Sequence, residues 1–278
     1  MLVLMLKTLR YHTFNKFFFI AAVMLFFCGS RDAQYKSGFS SVTVLAYGIL
    51  FVIGTVFLNI NNENRSGGYR NALTAGFTKR QVFFAHIISS AVCGAALFLF
   101  IAFPIYTSLR TSKTFMAILM IYILSAVVTA CIHLNITNVT AAFAVVAIVV
   151  VLCIVVTKPA QDMLGEDRYY YDVVFDESKV ETEGIDAAHV ETVTPNPDYP
   201  TGVKRAVLKT FAYADPYSQL VYSRMVLSEK GYINMLTDPD DINRIVYYEY
   251  WCFPLVTTGV ISAVSILGYV FYRKKDLY

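Results

Sequence analysis

Six apolar runs dominate the chain, most of them the length of a bilayer crossing: about Asn15–Ser30, Ser41–Ile60, Val82–Thr107, Thr114–His133, Thr137–Thr157 and Trp251–Tyr272. A spanning helix needs about 20 predominantly apolar residues, and lipid offers no hydrogen bonds to an open backbone. Charged residues make up 15% of the sequence, against roughly a quarter in soluble domains. Mean hydropathy is +0.53. The pattern predicts an all-α polytopic membrane protein with six transmembrane helices. The first run ends in Cys-Gly-Ser but lacks a clear small-x-small cleavage site, so it reads as a span rather than a signal peptide.

Basic residues orient the spans. Lys7, Arg10 and Lys16 lie near the N-terminus, and Arg273, Lys274 and Lys275 near the C-terminus. The loop between the second and third spans holds Arg65, Arg70, Lys79 and Arg80 against one acid, Glu63. Short basic loops stay in the cytoplasm, which puts both termini and this loop there; two cations in Ser108–Lys113 dissent mildly. Residues 1–14 place Leu2, Leu6 and Leu9 on one helical face with Lys7, Arg10 and His12 mostly opposite. That is the pattern of an interfacial helix, or alternatively of a frayed tail. Pro104 should kink the third span near its outer end. Gly259 and Ala263 form a small-xxx-small pair in the last span. Tyr247, Tyr248, Tyr250, Trp251 and Phe253 mark that span's outer interface, and Tyr269 and Tyr272 its inner one.

The chain divides into residues 1–157 (interfacial helix and five spans), an extracellular insertion over 158–249, and the last span with its tail over 250–278. The insertion carries nine Lys/Arg against seventeen Asp/Glu, a net of −8. This acidity is a solvated surface or an attractive field for cationic ligands. Arg168–Phe175 and His189–Thr194 read as strands, giving a small α+β domain. Asn196–Gly202 is a turn-rich break. Helices follow over Val203–Tyr213 and Tyr217–Leu227, with Asp215-Pro216 between them, and another starts at Asp238-Pro239-Asp240-Asp241. The apolar run Leu208–Met225 is compatible with partial burial in the outer leaflet.

No phosphate-binding loop, zinc-protease motif or nucleophile elbow is present. The five cysteines all fall in apolar runs with no metal-ligand spacing, so no metal site and no catalytic residue is read here. No Asp, Glu, Lys or Arg occupies a span centre, which counts against an ion-coupled carrier. His86 and His133 lie near inner span ends and read as interfacial. Any energy source must therefore be a partner.

The basic loop has structure of its own. Ser66 can cap a short helix over 66–76, in which Tyr69, Ala72 and Leu73 form an apolar patch. Gly76 suits the position just past its end, and Thr78 with Gln81 forms a T-x-x-Q capping box for the next span. Such a helix, clamped between two spans, can transmit a push; the same residues also suit an ordinary positive-inside turn.

In this loop Glu63, Gly68, Arg70, Asn71, Leu73, Gly76, Thr78 and Arg80 follow the pattern acid, Gly-containing basic helix, G-x-[ST]-[RK]. In the insertion Asn196, Pro197, Tyr199, Gly202 and Arg205 match N-P-x-Y-x-x-G-x-x-R, followed by Asp215, Pro216 and Gln219. With the terminal Phe271–Leu277 segment, these motifs and their order resemble the permease subunits of type-2 ABC exporters, near the bacteriocin and lantibiotic self-protection transporters. The resemblance implies a dimer of permease subunits, identical or not, in the bacterial plasma membrane. It also implies a separate cytoplasmic ATPase subunit that holds the ATP and Mg, no cofactor in this chain, and no nucleic acid. The coupling set would be Glu63, Gly68, Tyr69, Arg70, Leu73, Gly76, Thr78, Arg80 and Gln81, and the cargo a peptide or amphipathic molecule. The other class open at this point is a membrane sensor or assembly protein whose ectodomain binds a ligand without transport.

Overall fold

The computed structural model describes residues 2–35, 38–105, 112–136, 138–164, 169–175, 189–216, 219 and 253–275. In chain order these form α1 (Leu2–Thr13), α2 (Lys16–Tyr35), α3 (Gly38–Arg65), α4 (Gly68–Thr74), α5 (Lys79–Ile105), α6 (Ser112–Asn135) and α7 (Val139–Leu164). Then come β1 (Tyr169–Phe175), β2 (His189–Pro195), α8 (Gly202–Ala214) and α9 (Phe253–Arg273). The expected helices at Asp238 and over Tyr217–Leu227, the Ser108–Lys113 loop and most of the outer aromatic cluster lie largely or wholly outside the described residues.

Three helical stretches are long and apolar enough to cross a membrane: Lys79–Pro104, Phe115–Asn135 and Phe253–Arg273. A fourth arises if α1 and the first part of α2 count as one broken span, bent by 56°. In α7 the apolar stretch Val139–Cys153 is shorter. The described residues thus carry three or four of the six spans expected from the sequence.

α5 and α6 carry apolar residues around their circumference rather than on one stripe, as helices buried within a bundle or a membrane do, and they stand at the centre of the packing. α2, α3, α6 and α1 pack on α5; α3 and α9 pack on α6. Val82, Phe83, Leu97, Phe98, Ile101, Ile118, Ile121 and Tyr122 are fully buried there. Gly48 lets α3 approach α6 closely: a Cβ there would collide with the Tyr122 hydroxyl, which donates to the Leu45 carbonyl at 2.7 Å. Around this core the helices turn large apolar side chains outward, among them Phe19 and Phe27 on α2, Phe103 on α5, Val151 and Val155 on α7, and Leu255 and Phe271 on α9. So extensive an apolar exterior is stable against lipid, not water.

The bend between α1 and α2 has a local cause. Asn15 Oδ1 accepts from the amides of Phe17 and Phe18 at 2.9 and 3.0 Å, capping α2. Its Nδ2 donates back to the carbonyls of Tyr11 and His12 at the end of α1. The face that α1 buries is Leu4, Thr8 and His12, while Leu2 and Leu6 are exposed. His12, which periodicity puts on the polar face, is fully buried, because α1 packs on α5 rather than lying free.

One end of the bundle gathers the end of α3, the start of α5, and the ends of α6 and α9. Lys79 Nζ donates to the Lys275 carbonyl at 2.6 Å, and Lys275 Nζ to the Leu134 carbonyl at 2.8 Å. Each cation thereby meets carbonyls that a helix C-terminus leaves unpaired. Gly259 and Ala263 on α9 are exposed, and nothing lies within 4 Å of a Cβ built on Gly259. The small-residue pair therefore packs against no described part of its own chain.

At the other end β1 and β2 form an antiparallel pair in the register Tyr169↔Pro195 to Phe175↔His189. α8 packs on α7 and α9.

Candidate functional site

α4 is a seven-residue helix held rigidly between α3 and α5. Its start differs from the sequence expectation. Gly67, at φ 70°, is the N-cap residue and no side chain caps the helix; the Ser66 hydroxyl instead donates to the Glu63 carbonyl at 3.0 Å. With Gly67 at the N-cap, Ser66 lies one residue before it and its hydroxyl is engaged by the last turn of α3. The helix ends on Gly76 at φ 86°, a left-handed conformation costly for residues with a Cβ. Gly76 N–H donates to the Leu73 carbonyl at 3.0 Å and Phe77 N–H to that of Ala72 at 3.2 Å, the paired bonds of a Schellman motif. Two residues later the capping box is reciprocal: Thr78 N–H donates to Gln81 Oε1 at 2.9 Å and Gln81 N–H to Thr78 Oγ1 at 3.2 Å. No slack remains between α4 and α5.

The two faces of α4 are unlike. Tyr69 is buried, and Ala72 and Leu73 pack against the core. The apolar patch expected from the spacing of these three residues thus anchors the helix to its own spans. Exposed instead are Arg70, Asn71, Thr74, Ala75 and Gly76, with Thr78 and Arg80 following. Gly68 sits against the Glu63 side chain, and Gln81 is half-buried.

Beneath Tyr69 lies a buried polar cluster that spans three elements. His12 comes from α1, Glu63 from the last turn of α3, and His86 from α5. Glu63 Oε2 stands 3.7 Å from His12 Nε2 and 3.5 Å from His86 Nδ1, and one ligand atom from each of the three residues lies within 4.8 Å of the others. The Tyr69 ring is 4.5 Å from that of His86, tilted by 34°. Asn59, one turn before Glu63, donates to the His12 carbonyl at 3.1 Å. Both ring nitrogens of His12, His86 Nδ1, Glu63 Oε2, the Tyr69 hydroxyl and Asn59 Oδ1 have no hydrogen-bond partner among the described residues. Each such buried orphan costs about 1–3 kcal/mol, so a group of them in one place requires an explanation. Burial opposes ionisation of Glu63, but His12, His86 and Lys7 outweigh it and hold the carboxyl below its ordinary range. Burial first, then the Glu63 charge, pushes the Tyr69 phenol well up.

Sequence reading does not find this cluster. His12, Glu63 and His86 are 51 and 23 positions apart in the sequence, and no local motif joins them. One signal was available: Glu63 is the single acid of the loop, beside the histidine-bearing start of a span. His86 and His133, read as interfacial, are both buried; His133 stacks on Phe57 at 4.4 Å, away from the cluster.

The residues of the insertion motif also meet. The Asp198 amide donates to Asn196 Oδ1 at 2.8 Å and that of Tyr199 to the Asn196 carbonyl at 3.3 Å, a local turn. Asn196 is buried, and Pro197 is exposed. The Arg205 guanidinium lies 4.6 Å from the centre of the Tyr199 ring. Gly202 opens α8 at φ 54°, and buried Asp215 closes it ahead of Pro216. Fully buried Gln219 donates to the Tyr213 carbonyl and accepts from the Thr257 hydroxyl of α9 at 2.8 Å. This group and the α4 group sit toward opposite ends of α9: Thr257 and Arg273 are 16 residues apart, about 24 Å of helix. Compared with known proteins, the chain matches no family model and no curated relative.

Proposed function

We propose that the chain is the membrane-spanning permease subunit of an ATP-driven ABC exporter, six-spanning and set in a bacterial plasma membrane with both termini in the cytoplasm. In this reading two permease subunits pair with two cytoplasmic ATPase subunits, and ATP-driven closure of the ATPases moves a peptide or amphipathic substrate outward. The observation that carries it is the construction of α4: apolar residues fixed to the spans, a polar basic face left open, and tight caps on the way into α5. A push on Arg70 and Asn71 is then delivered to α5 without loss in a flexible joint. The gathering of basic chain ends beside α4 supports the cytoplasmic side.

The test is co-purification followed by substitution. The chain should bring down an ATPase subunit, and Arg70→Glu should uncouple ATP hydrolysis from transport while leaving the protein inserted. Normal coupling in Arg70→Glu would remove the mechanism. The sensor reading draws on one observation, the Gln219–Thr257 bond that ties the insertion to α9; it predicts ligand-dependent signalling with no ATPase recovered.

A further inference from the structure

We propose that His12, Glu63 and His86 form a binding site for one transition-metal dication of the zinc class. The three ligand atoms converge from α1, α3 and α5 into a space closed off from solvent, with His12 and His86 essentially buried. Bound at metal–ligand distances of about 2.0–2.2 Å, tetrahedral ligand atoms stand about 3.3–3.6 Å apart. Glu63 Oε2 is 3.5 Å from His86 Nδ1 and 3.7 Å from His12 Nε2, so two edges of the shell are nearly in place. The third edge, between the two imidazoles, is at most 4.8 Å, and closing it requires the rings to turn toward the ion.

The hydrogen-bonding state points the same way. Neither His12 nitrogen, nor His86 Nδ1, nor Glu63 Oε2 has a hydrogen-bond partner among the described residues, which leaves their lone pairs open to a cation. Supporting contacts already orient the ligands: Asn59 holds the His12 main chain, and the Tyr69 ring packs on His86. Two imidazoles and one carboxylate suit Zn2+ and its neighbours, whereas Mg2+ and Ca2+ take oxygen ligands. A bound ion would pin the end of α1 to the helices on either side of α4. The site stands independently of any partner assigned to α4.

The experiment uses the full chain, purified without a histidine tag in detergent and stripped with a chelator. Zn2+ is titrated against a chromophoric competitor, and Co2+ is added separately as a spectroscopic probe. One equivalent of Zn2+ should bind, and Co2+ should show the intense visible bands of a low-coordinate site with nitrogen ligands. His12→Ala, Glu63→Gln and His86→Ala should each weaken binding by about tenfold or more, while His133→Ala binds as the parent does. Binding unchanged in His86→Ala, or a Co2+ spectrum like that of the hydrated ion, would overturn the site. If a ligand variant fails to fold, the Co2+ spectrum of the parent chain decides alone.

Discussion

The ring of Tyr69 lies 4.5 Å from the ring of His86, so the short helix that faces outward with Arg70 is held from inside by an aromatic contact to the first turns of α5. Tyr69 has two separable parts. Its ring fills a buried space, whereas its hydroxyl has no hydrogen-bond partner among the described residues. Tyr69→Ala should cost about 3–5 kcal/mol, as large aromatic truncations in cores do. Tyr69→Phe should be neutral or slightly stabilising, because it removes an orphan polar atom. Denaturant or thermal unfolding in detergent distinguishes the two, and equal losses in both variants would contradict this assignment.

The exit from α4 depends on backbone conformation alone. Nothing lies within 4 Å of a Cβ built on Gly76, yet its φ is 86°. Gly76→Val should therefore loosen the turn by about 1–2 kcal/mol, and Gly76→Asn by less, since Asn tolerates the left-handed region. Hydrogen exchange at the Phe77 amide, which is bonded to the Ala72 carbonyl, reads the change locally.

Close packing of α3 on α6 is equally specific. Gly48→Ala places a methyl group against the Tyr122 hydroxyl and should destabilise by about 1–3 kcal/mol, the usual range for overpacking. A melting temperature matching that of the parent would show that α3 and α6 are farther apart.

On the opposite side of the molecule, Thr257→Val removes the donor to Gln219 Oε1 at nearly constant volume. Losing that buried hydrogen bond should cost about 0.5–1.5 kcal/mol. The loss should be nearly absent in a Gln219→Leu background, since the double substitution removes both polar partners; additive losses would place the two residues in separate environments.

Local chemistry was legible in the sequence where its range is short. The Thr78–Gln81 capping box, the left-handed Gly76 and the two strands each follow from residues within a few positions of one another. Direction was less legible. The spacing of Tyr69, Ala72 and Leu73 says that they share a face, but not whether that face meets a partner or the protein's own spans; packing on α3 and α5 decided it. Ser66 had the right side chain for a cap but the wrong backbone around it. The meeting of His12, Glu63 and His86 depends on how three helices pack, which no pattern along the chain encodes.

Cysteine accessibility at the exposed face of α4 tests the account most directly. With the native cysteines replaced, Asn71→Cys is treated with a membrane-impermeant thiol reagent in right-side-out and inverted membrane vesicles. Labelling confined to inverted vesicles, and blocked when the proposed ATPase partner is added, is the expected result. Labelling in right-side-out vesicles would place α4 outside the cell, where no ATPase can reach it, and contradict the mechanism.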